Sequence, residues 1–310
     1  MTIHSLINYV GHKSKIIEQI KPYLPEQVRG TFYDCFAGSS VAALNMPYDH
    51  IISVEKNVHL VNLYSDIVTP EFKQHIFDLI AKYNLTNSSV TPRSEYLKDP
   101  NIGECRWMGE TVSNMHLDQL NKPGYNKLLL DFNAGEFKGT VKSAAYMIAT
   151  IYGRNSSVET KADGTLSGSV GPLDFSKRCA VKLTEHIKRL EEGRNQFICA
   201  SYQDIKPGPE DFVYLDPPYL ASSYRYGGWS EADERELLAW IDRLPCPWAL
   251  SNTLQSGNKK NQILMDWAVG KNIVGLDKKY RKWAGAGVDT VARTTKVNYE
   301  VLIRNSGVSE

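Results

Sequence analysis

Cysteine is scarce and shows no pairing pattern. Cys35, Cys105, Cys179, Cys199 and Cys246 are odd in number, scattered, and contain no CxxC spacing. This excludes a disulfide framework and offers no zinc site, so no metal is expected. Long hydrophobic runs are missing too: nothing approaches the ~18 apolar residues of a membrane span. The N-terminus lacks the apolar stretch of a signal peptide, so a reducing cytoplasm is the expected location, with no membrane partner. Net charge is nearly absent, at a formal +1 over 310 residues. A polyanion would have to be drawn by local clustering, because the whole-molecule field is weak. One such cluster exists: Lys278, Lys279, Arg281 and Lys282, flanked by Lys259, Lys260, Arg293 and Lys296. It suits either phosphate contacts or a solvated charged face. Neither GxGxxG nor GxxxxGK[ST] occurs, which excludes the usual dinucleotide and phosphate-loop sites. Internal repeats and low-complexity tracts are also lacking. The length suits one large domain, or a core with an insert.

What is present alternates between strand and helix at both ends of the chain. Residues 14–24 carry Ile16, Ile17, Ile20 and Leu24 at helical spacing, with Ser14 able to cap. Phe32–Phe36 reads as a strand running into Ala37-Gly38-Ser39-Ser40, then a short helix from Val41 to about Asn45. His50–Glu55 is a second strand, with a helix starting near Val58. From about Asn62 to Ser176 the pattern becomes mainly helical, with Asn87-Ser88-Ser89, Lys122-Pro123-Gly124 and Ala162-Asp163-Gly164 as loop punctuation. Strand–helix alternation then returns. A helix over Cys179–Glu192 has Val181, Leu183, Ile187 and Leu190 apolar. Strands follow at Phe197–Ala200, Phe212–Leu215, Trp248–Asn252 and Tyr299–Ile303. A helix over Glu231–Leu244 is opened by Ser230, with acids in its first turn. The fold class is therefore α/β: a doubly wound sheet interrupted by a helical insert.

The strand Phe212–Leu215 ends in Asp216-Pro217-Pro218-Tyr219. Ligands in open α/β sheets bind at the carboxyl ends of strands. Two prolines fix φ and donate no N–H, so the turn is stiff and its carbonyls are free to accept. An amino-bearing flat ring needs such acceptors and an aromatic face. Upstream, Asp34-x-Phe36-x-Gly38 is a glycine loop that lets a ligand approach the backbone. Without phosphate-binding motifs, S-adenosylmethionine is the nucleotide-like cofactor that fits. Asp34 is expected at its sulfonium–amino end. Glu55, at the end of the next strand, suits ribose hydroxyls. Asn8-Tyr9-Val10-Gly11-His12-Lys13 puts backbone N–H groups and a cation where a carboxylate can dock.

On these residues the chain resembles DNA adenine-N6 methyltransferases of the Dam type, especially phage forms. The resemblance runs through Tyr9–Lys13, Asp34–Gly38, Glu55, the insert, Asp211–Tyr219, Trp229-Ser230-Glu231, Leu250-Ser251-Asn252 and Glu300–Ile303. It implies a seven-stranded class I S-adenosylmethionine-dependent methyltransferase fold, with a catalytic domain over 1–61 plus 177–310. Residues 62–176 would be a target-recognition domain for double-stranded DNA. It also implies a base flipped into the site. There Asp216 and the Pro217 carbonyl would accept from N6, Pro218 would stiffen the turn, and Tyr219 would stack. Tyr9, Gly11, Lys13, Asp34, Phe36, Gly38, Glu55, Asp204 and Asp216 are expected around the cofactor. Asn8, Arg154, Asn155, Ser157, Glu159, Lys279 and Arg281 are expected on DNA. No oligomeric state is implied.

One segment departs from that family. Gly153-Arg154-Asn155-Ser156-Ser157-Val158-Glu159 lies where Dam proteins read GATC, and Glu159 stands where an arginine would read guanine. Arginine suits guanine O6 and N7, whereas glutamate accepts from cytosine N4. Asn8 also stands where some members carry a lysine facing the first guanine. A site other than GATC is the expectation. The competing readings are an RNA adenine-N6 methyltransferase, a cytosine-N4 enzyme and a non-catalytic DNA-binding relative. The central insert favours DNA, Asp at the head of the tetrapeptide favours adenine, and intact Asp216 and Lys13 favour catalysis.

Overall fold

A computed structural model describes residues 2–9, 11–96, 106–107, 110–111, 117–221, 228–276 and 298–305. The basic residues Lys278, Lys279, Arg281, Lys282, Arg293 and Lys296, and Cys105, lie outside the described residues. In chain order the structure has α1 (Ile17–Ile20), β1 (Phe32–Cys35), α2 (Val41–Leu44), β2 (Ile51–Glu55), α3 (Val58–Asp66), α4 (Phe72–Lys82) and α5 (Arg93–Tyr96). Then come β3 (Arg106–Trp107), β4 (Glu110–Thr111), α6 (Leu117–Asn133), α7 (Gly139–Tyr152), β5 (Glu159–Thr160) and β6 (Leu166–Ser167). The rest is α8 (Lys177–Leu190), β7 (Asn195–Cys199), β8 (Phe212–Leu215), α9 (Glu231–Ile241), β9 (Trp248–Ser256), β10 (Lys259–Lys260), α10 (Gln262–Trp267), β11 (Asn272–Leu276) and β12 (Asn298–Arg304).

By packing, the chain divides into two compact units. One comprises Met1–His12, Gly38–Leu44 and Glu55–Cys199; the other comprises Lys13–Ala37, Asn45–Val54 and Ala200–Glu310. The second unit carries sheet strands in the order β11-β12-β9-β8-β1-β2. β1 runs parallel to both β2 and β8, and β8 runs parallel to β9. β12 is reversed: it lies antiparallel to β9 on one side and β11 on the other. All four residues of β8 are buried, as a central parallel strand covered on both faces requires. The ring of Phe32 stacks on that of Phe212 with centroids 5.8 Å apart, fixing the β1–β8 register from the side-chain layer. Ser230 and Asp233 form a reciprocal capping box that starts α9.

The first unit is mainly helical. A continuous core joins Leu60, Leu63 and Tyr64 of α3 to Phe72, Ile76 and Ile80 of α4 and to the almost wholly buried α7. Asn57 caps α3, its side-chain oxygen accepting the His59 amide at 3.0 Å. The β5–β6 hairpin turns through Ala162-Asp163-Gly164, as the loop punctuation indicated.

Three expectations need correction. The continuous helix over residues 14–24 is instead a 3-10 turn at Lys13–Lys15, the single-turn α1, and another 3-10 turn at Lys21–Tyr23. Pro22 cannot continue the α-helical ladder, and Ile16 rather than Ser14 precedes α1. Lys122-Pro123-Gly124 is not a loop but lies inside α6. Leu117, Asn121, Tyr125, Leu128 and Phe132 are buried at helical spacing, and that burial outweighs the local proline signal because Pro123 faces solvent. Gly124 is needed there for close approach: a Cβ would stand 1.8 Å from the Tyr83 carbonyl oxygen. In α8 the buried stripe is Leu183, His186 and Leu190, while Val181 points outward, 56% exposed.

His186 generates a pH prediction. Its ring is wholly buried; Nδ1–H donates to the Lys182 carbonyl at 2.8 Å, and Nε2 meets no partner among the described residues. Burial lowers its pKa to about 4 from an ordinary 6.5. The folded protein thus binds the proton less readily than the unfolded chain. The contribution is intact above about pH 6.5 and is lost as pH falls toward 4, by up to ~3 kcal/mol. Urea melts of the wild type and His186→Gln from neutral to about pH 4 should show the wild type losing more stability on acidification. Parallel losses would remove His186 as the cause.

Candidate functional site

In the second unit the tetrapeptide leaves the carboxyl end of β8, and the Asp216 amide donates to the Cys35 carbonyl at 3.4 Å. Lys13 sits on the 3-10 turn at Lys13–Lys15, with its side chain 3% exposed. An ammonium so buried is stable only beside opposite charge. Its Nζ pairs with both carboxylate oxygens of Asp216, and Glu300 Oε1 stands 3.7 Å away. The Tyr219 hydroxyl lies 3.0 Å from Asp216 Oδ1 and 3.0 Å from Glu300 Oε1, so its single proton is shared between two acceptors. Lys13 Nζ also lies 5.0 Å from the centroid of the Tyr219 ring. Burial, followed by the charges of Asp216 and Glu300, holds the Tyr219 hydroxyl well above the ordinary tyrosine range. Glu300 is brought in by β12, whose register against β9 shifts between Tyr299 and Glu300; such a bulge re-aims the side chain.

Asp34 is buried in β1. Phe36 follows with a left-handed backbone at φ +64°. Its ring packs against Tyr202 at 5.2 Å and meets the edge of Trp229 at 5.8 Å. The Trp229 indole donates to Glu234 Oε2 at 2.7 Å, while Asn252 and Asn261 donate to Glu234 Oε1 at 3.2 and 2.7 Å. Burial raises the Glu234 carboxyl pKa, and these three donors oppose the shift. Asp204 is engaged locally, accepting the Ser201 amide at 2.7 Å in a capping box. Pro217 is buried and Pro218 half-buried beside them in sequence.

In the first unit Gly38 has φ +49°, and a Cβ there would lie 2.5 Å from the Tyr9 ring. Both oxygens of Glu55 are fixed by backbone amides: Gly38 donates to Oε2 at 2.9 Å and Asn57 to Oε1 at 2.8 Å. Burial raises this carboxyl as well, against the pull of those amides. Gly11 takes the left-handed conformation expected of the turn after Tyr9, at φ +84°. Asn8 Nδ2 donates to the Asn155 carbonyl at 2.6 Å. Arg154, Asn155, Ser157 and Glu159 are exposed. Asn155 and Ser156 are both left-handed, at φ +59° and +49°, which costs strain for residues with a Cβ. Glu159 accepts from the Ser167 hydroxyl at 2.9 Å.

The structure thus gathers Lys13, Asp216 and Tyr219 in one unit. In the other it gathers Tyr9 with Gly38 and Glu55, and Asn8 with the Asn155 turn. Asp34 is buried on β1 of the unit that holds Lys13, Phe36 packs against Tyr202 and Trp229, and Asp204 caps its own turn. Lys279 and Arg281 lie outside the described residues. Sequence reasoning missed Glu300 as a member of the charged group, Glu234 as the anchor of Trp229, and Asn57 and His59. Of these, only Asn57 had a readable signal, as a capping residue before a helix.

A family model described as D12 class N6 adenine-specific DNA methyltransferase matches residues 9–281. The Type II methyltransferase M.FokI of Planomicrobium okeanokoites is 26% identical over 294 residues, covering 90% of this chain and 40% of that protein. The modification methylase StsI of Streptococcus sanguinis is 26% identical over 325 residues, covering 98% of this chain and 43% of that protein. The modification methylase LlaI of Lactococcus lactis subsp. lactis is 24% identical over 277 residues, covering 86% and 39% respectively. The chain therefore spans about two fifths of the length of these relatives.

The buried pair can be tested by a thermodynamic cycle. Asp216→Ala removes the nearest carboxylate from a buried ammonium, and Lys13→Met removes the ammonium. The expected coupling is about 1–3 kcal/mol, with the double variant more stable than the two single losses added together. Denaturant titration of the four proteins measures it, and additive losses would show that the pair contributes no net coupling.

Proposed function

Because the chain belongs to the D12 class N6 adenine-specific DNA methyltransferase family, we propose that it moves a methyl group from S-adenosylmethionine to N6 of an adenine flipped out of duplex DNA. Its mixed α/β architecture, with a mainly parallel central sheet, is the class I methyltransferase fold. The observation that carries the proposal is Asp216-Pro217-Pro218-Tyr219 at the carboxyl end of β8, with the Asp216 carboxylate held by buried Lys13. Residues 62–176 are proposed as the target-recognition part, and 1–61 with 177–310 as the catalytic part. Kinship with the Dam-type phage enzymes rests on the motifs from Tyr9 to Ile303. The named relatives are modification methylases, which makes a restriction–modification setting in a bacterial or phage-infected cytoplasm the natural context.

The residues present suit the cofactor. Gly38 leaves no room for a Cβ beside Tyr9, and Glu55 is held in place by backbone amides, among them those of Gly38 and Asn57. Tyr9, Gly11, Lys13, Asp34, Phe36, Gly38, Glu55, Asp204 and Asp216 would hold it, Glu55 at the ribose hydroxyls. When bound, S-adenosylmethionine supplies an electrophilic methyl group. The chain's own work falls on the base. Asp216 and the Pro217 carbonyl accept from the amino group, drawing its nitrogen away from planarity and localising the lone pair. Lys13 holds the Asp216 carboxylate in one orientation, so it needs little reorganisation during reaction. The prolines hold the acceptors in place, and Tyr219 offers its face to the ring.

Arg154, Asn155, Ser157 and Glu159, with Asn8, are proposed to read the DNA, and Lys279 and Arg281 to contact phosphates. A carboxylate at position 159 suits cytosine rather than guanine. The site is therefore proposed to contain adenine but not to be GATC.

Asp216→Asn preserves shape but removes the charge. It should lower kcat about a hundredfold with little change in KM for DNA, because the lost interaction belongs to the transition state. Steady-state kinetics with tritiated cofactor measure this, and wild-type kcat in a folded variant would reject the role. The specificity proposal has its own check. DNA from a host lacking GATC methylation but expressing this chain should resist a nuclease specific for methylated GATC, while adenine methylation maps elsewhere. Complete cutting would overturn it.

A further inference from the structure

Glu55 and the β5–β6 hairpin are joined by an unbroken hydrogen-bond relay within one compact unit. It starts at the acid, where the Asn57 amide donates to Glu55 Oε1 at 2.8 Å. The Asn57 side chain then works in two directions. Its oxygen accepts the His59 amide at 3.0 Å, and its Nδ2 donates to the Tyr146 hydroxyl at 3.3 Å and to Thr160 Oγ1, on β5, at 3.4 Å. Two residues further on, His59 Nε2–H donates to the carbonyl of Gly164 at 2.8 Å, in the turn of the hairpin. The His59 ring is buried, edge-on to Phe132 at 5.2 Å and beside Tyr146 at 5.3 Å, so it cannot swing away without opening the core. Asn133 completes the seat, donating to the Leu166 carbonyl at 2.9 Å and accepting its amide at 2.7 Å.

We infer that Asn57 and His59 are positioning residues that couple the cofactor site at Glu55 to the hairpin carrying Glu159, so that cofactor binding orders the sequence-reading hairpin. The inference rests on the proposed cofactor role of Glu55 and on the proposed DNA-reading role of Glu159. Its physical basis is simple. A ligand on Glu55 restrains the carboxylate, and with it the Asn57 amide that the carboxylate holds. The same residue and its neighbour two positions on grip the hairpin at Thr160 and Gly164. Restraint at one end lowers the entropy still to be lost at the other, which is positive coupling without a change of fold. Coupling is reciprocal, so cognate DNA on the hairpin tightens cofactor binding by the same factor. His59 and Asn57 touch neither substrate in this scheme and act through the elements they hold.

The test uses the full chain and S-adenosylhomocysteine as the probe. Calorimetry establishes binding, and hydrogen exchange follows the hairpin amides of Lys161, Gly164 and Leu166 with and without the probe. In the wild type the probe should slow exchange there by about fivefold or more. His59→Ala should bind the probe but lose the hairpin response, and His59→Gln, which keeps a donor for the Gly164 carbonyl, should regain it. Thr160→Val, on the half-buried strand, removes the second grip and its bond to the Tyr146 hydroxyl but leaves the His59 ring in its packing, and it should reduce the response, so the test stands even where His59→Ala does not fold. An equal response in His59→Ala or in Thr160→Val overturns the coupling. Probe binding with no hairpin response in the wild type overturns it while leaving the cofactor reading intact. No probe binding to the wild type overturns both.

Discussion

A lysine with 3% of its side chain exposed is costly to bury unless opposite charge stands beside it, and Asp216 and Glu300 meet that demand in the second unit. Lys13 lies on a single 3-10 turn, Asp216 and Tyr219 on the stiff exit from β8, and Glu300 on the reversed strand β12. The sheet already ties β8 to β12 through β9. Electrostatics then joins their side chains to the turn that carries Lys13: removing either carboxylate leaves the cation partly uncompensated, and removing the cation leaves two acids facing each other across a shared tyrosine hydroxyl. The same arrangement suits the chemistry proposed for Asp216, because an acceptor oriented in advance needs little reorganisation when it is used.

Three other acids are handled differently, half-buried Glu55 and buried Glu234 and Asp174. Glu55 is held by the amides of Gly38 and Asn57. Glu234 is held by the indole of Trp229 and two asparagine side chains. Asp174 accepts from the Ser88 amide and from the Ser88 and Thr86 hydroxyls. Neutral donors satisfy a carboxylate more weakly than a cation does, and burial accordingly raises the carboxyl pKa of Glu55 and of Glu234. A carboxylate satisfied this way is directional rather than simply attractive. It orients what surrounds it: the glycine loop and the start of α3 at Glu55, the Trp229–Phe36 contact at Glu234.

Much of this was legible in the sequence where a local signal was strong. Phe212–Leu215 reads as a buried strand because a short apolar run of four, ended by Asp216 and two prolines, suits a covered strand better than a helix. Ser230 announces α9 through the acid three positions on. The tetrapeptide, the glycine loop and Glu55 were marked by residue type and order. Legibility failed where tertiary packing overrode a local rule. Pro123 and Gly124 look like a loop, yet they sit in α6 because one face of that helix is buried and Gly124 must pass close to Tyr83. Glu300 and Glu234 carried no signal as site residues, since an isolated acid in a strand or helix acquires meaning only from partners distant in the chain. Asn57 and His59 looked like an ordinary helix start, and half of their role is that.

The reversed strand β12 has one more implication, for how the chain is made. It follows β11 in sequence but takes the place between β11 and β9, so those two strands are kept apart in the final sheet. During vectorial synthesis β8, β9 and α9 can assemble while β12 is still within the ribosome, and Lys13 must wait for Glu300 until the rest has formed. Until that slot is filled the side of β9 that β12 will occupy offers unpaired backbone to any passing strand. A chain that stops short of β12 would thus lack Glu300 at its charged centre and leave that side of β9 open, so a chaperone would have something to hold there.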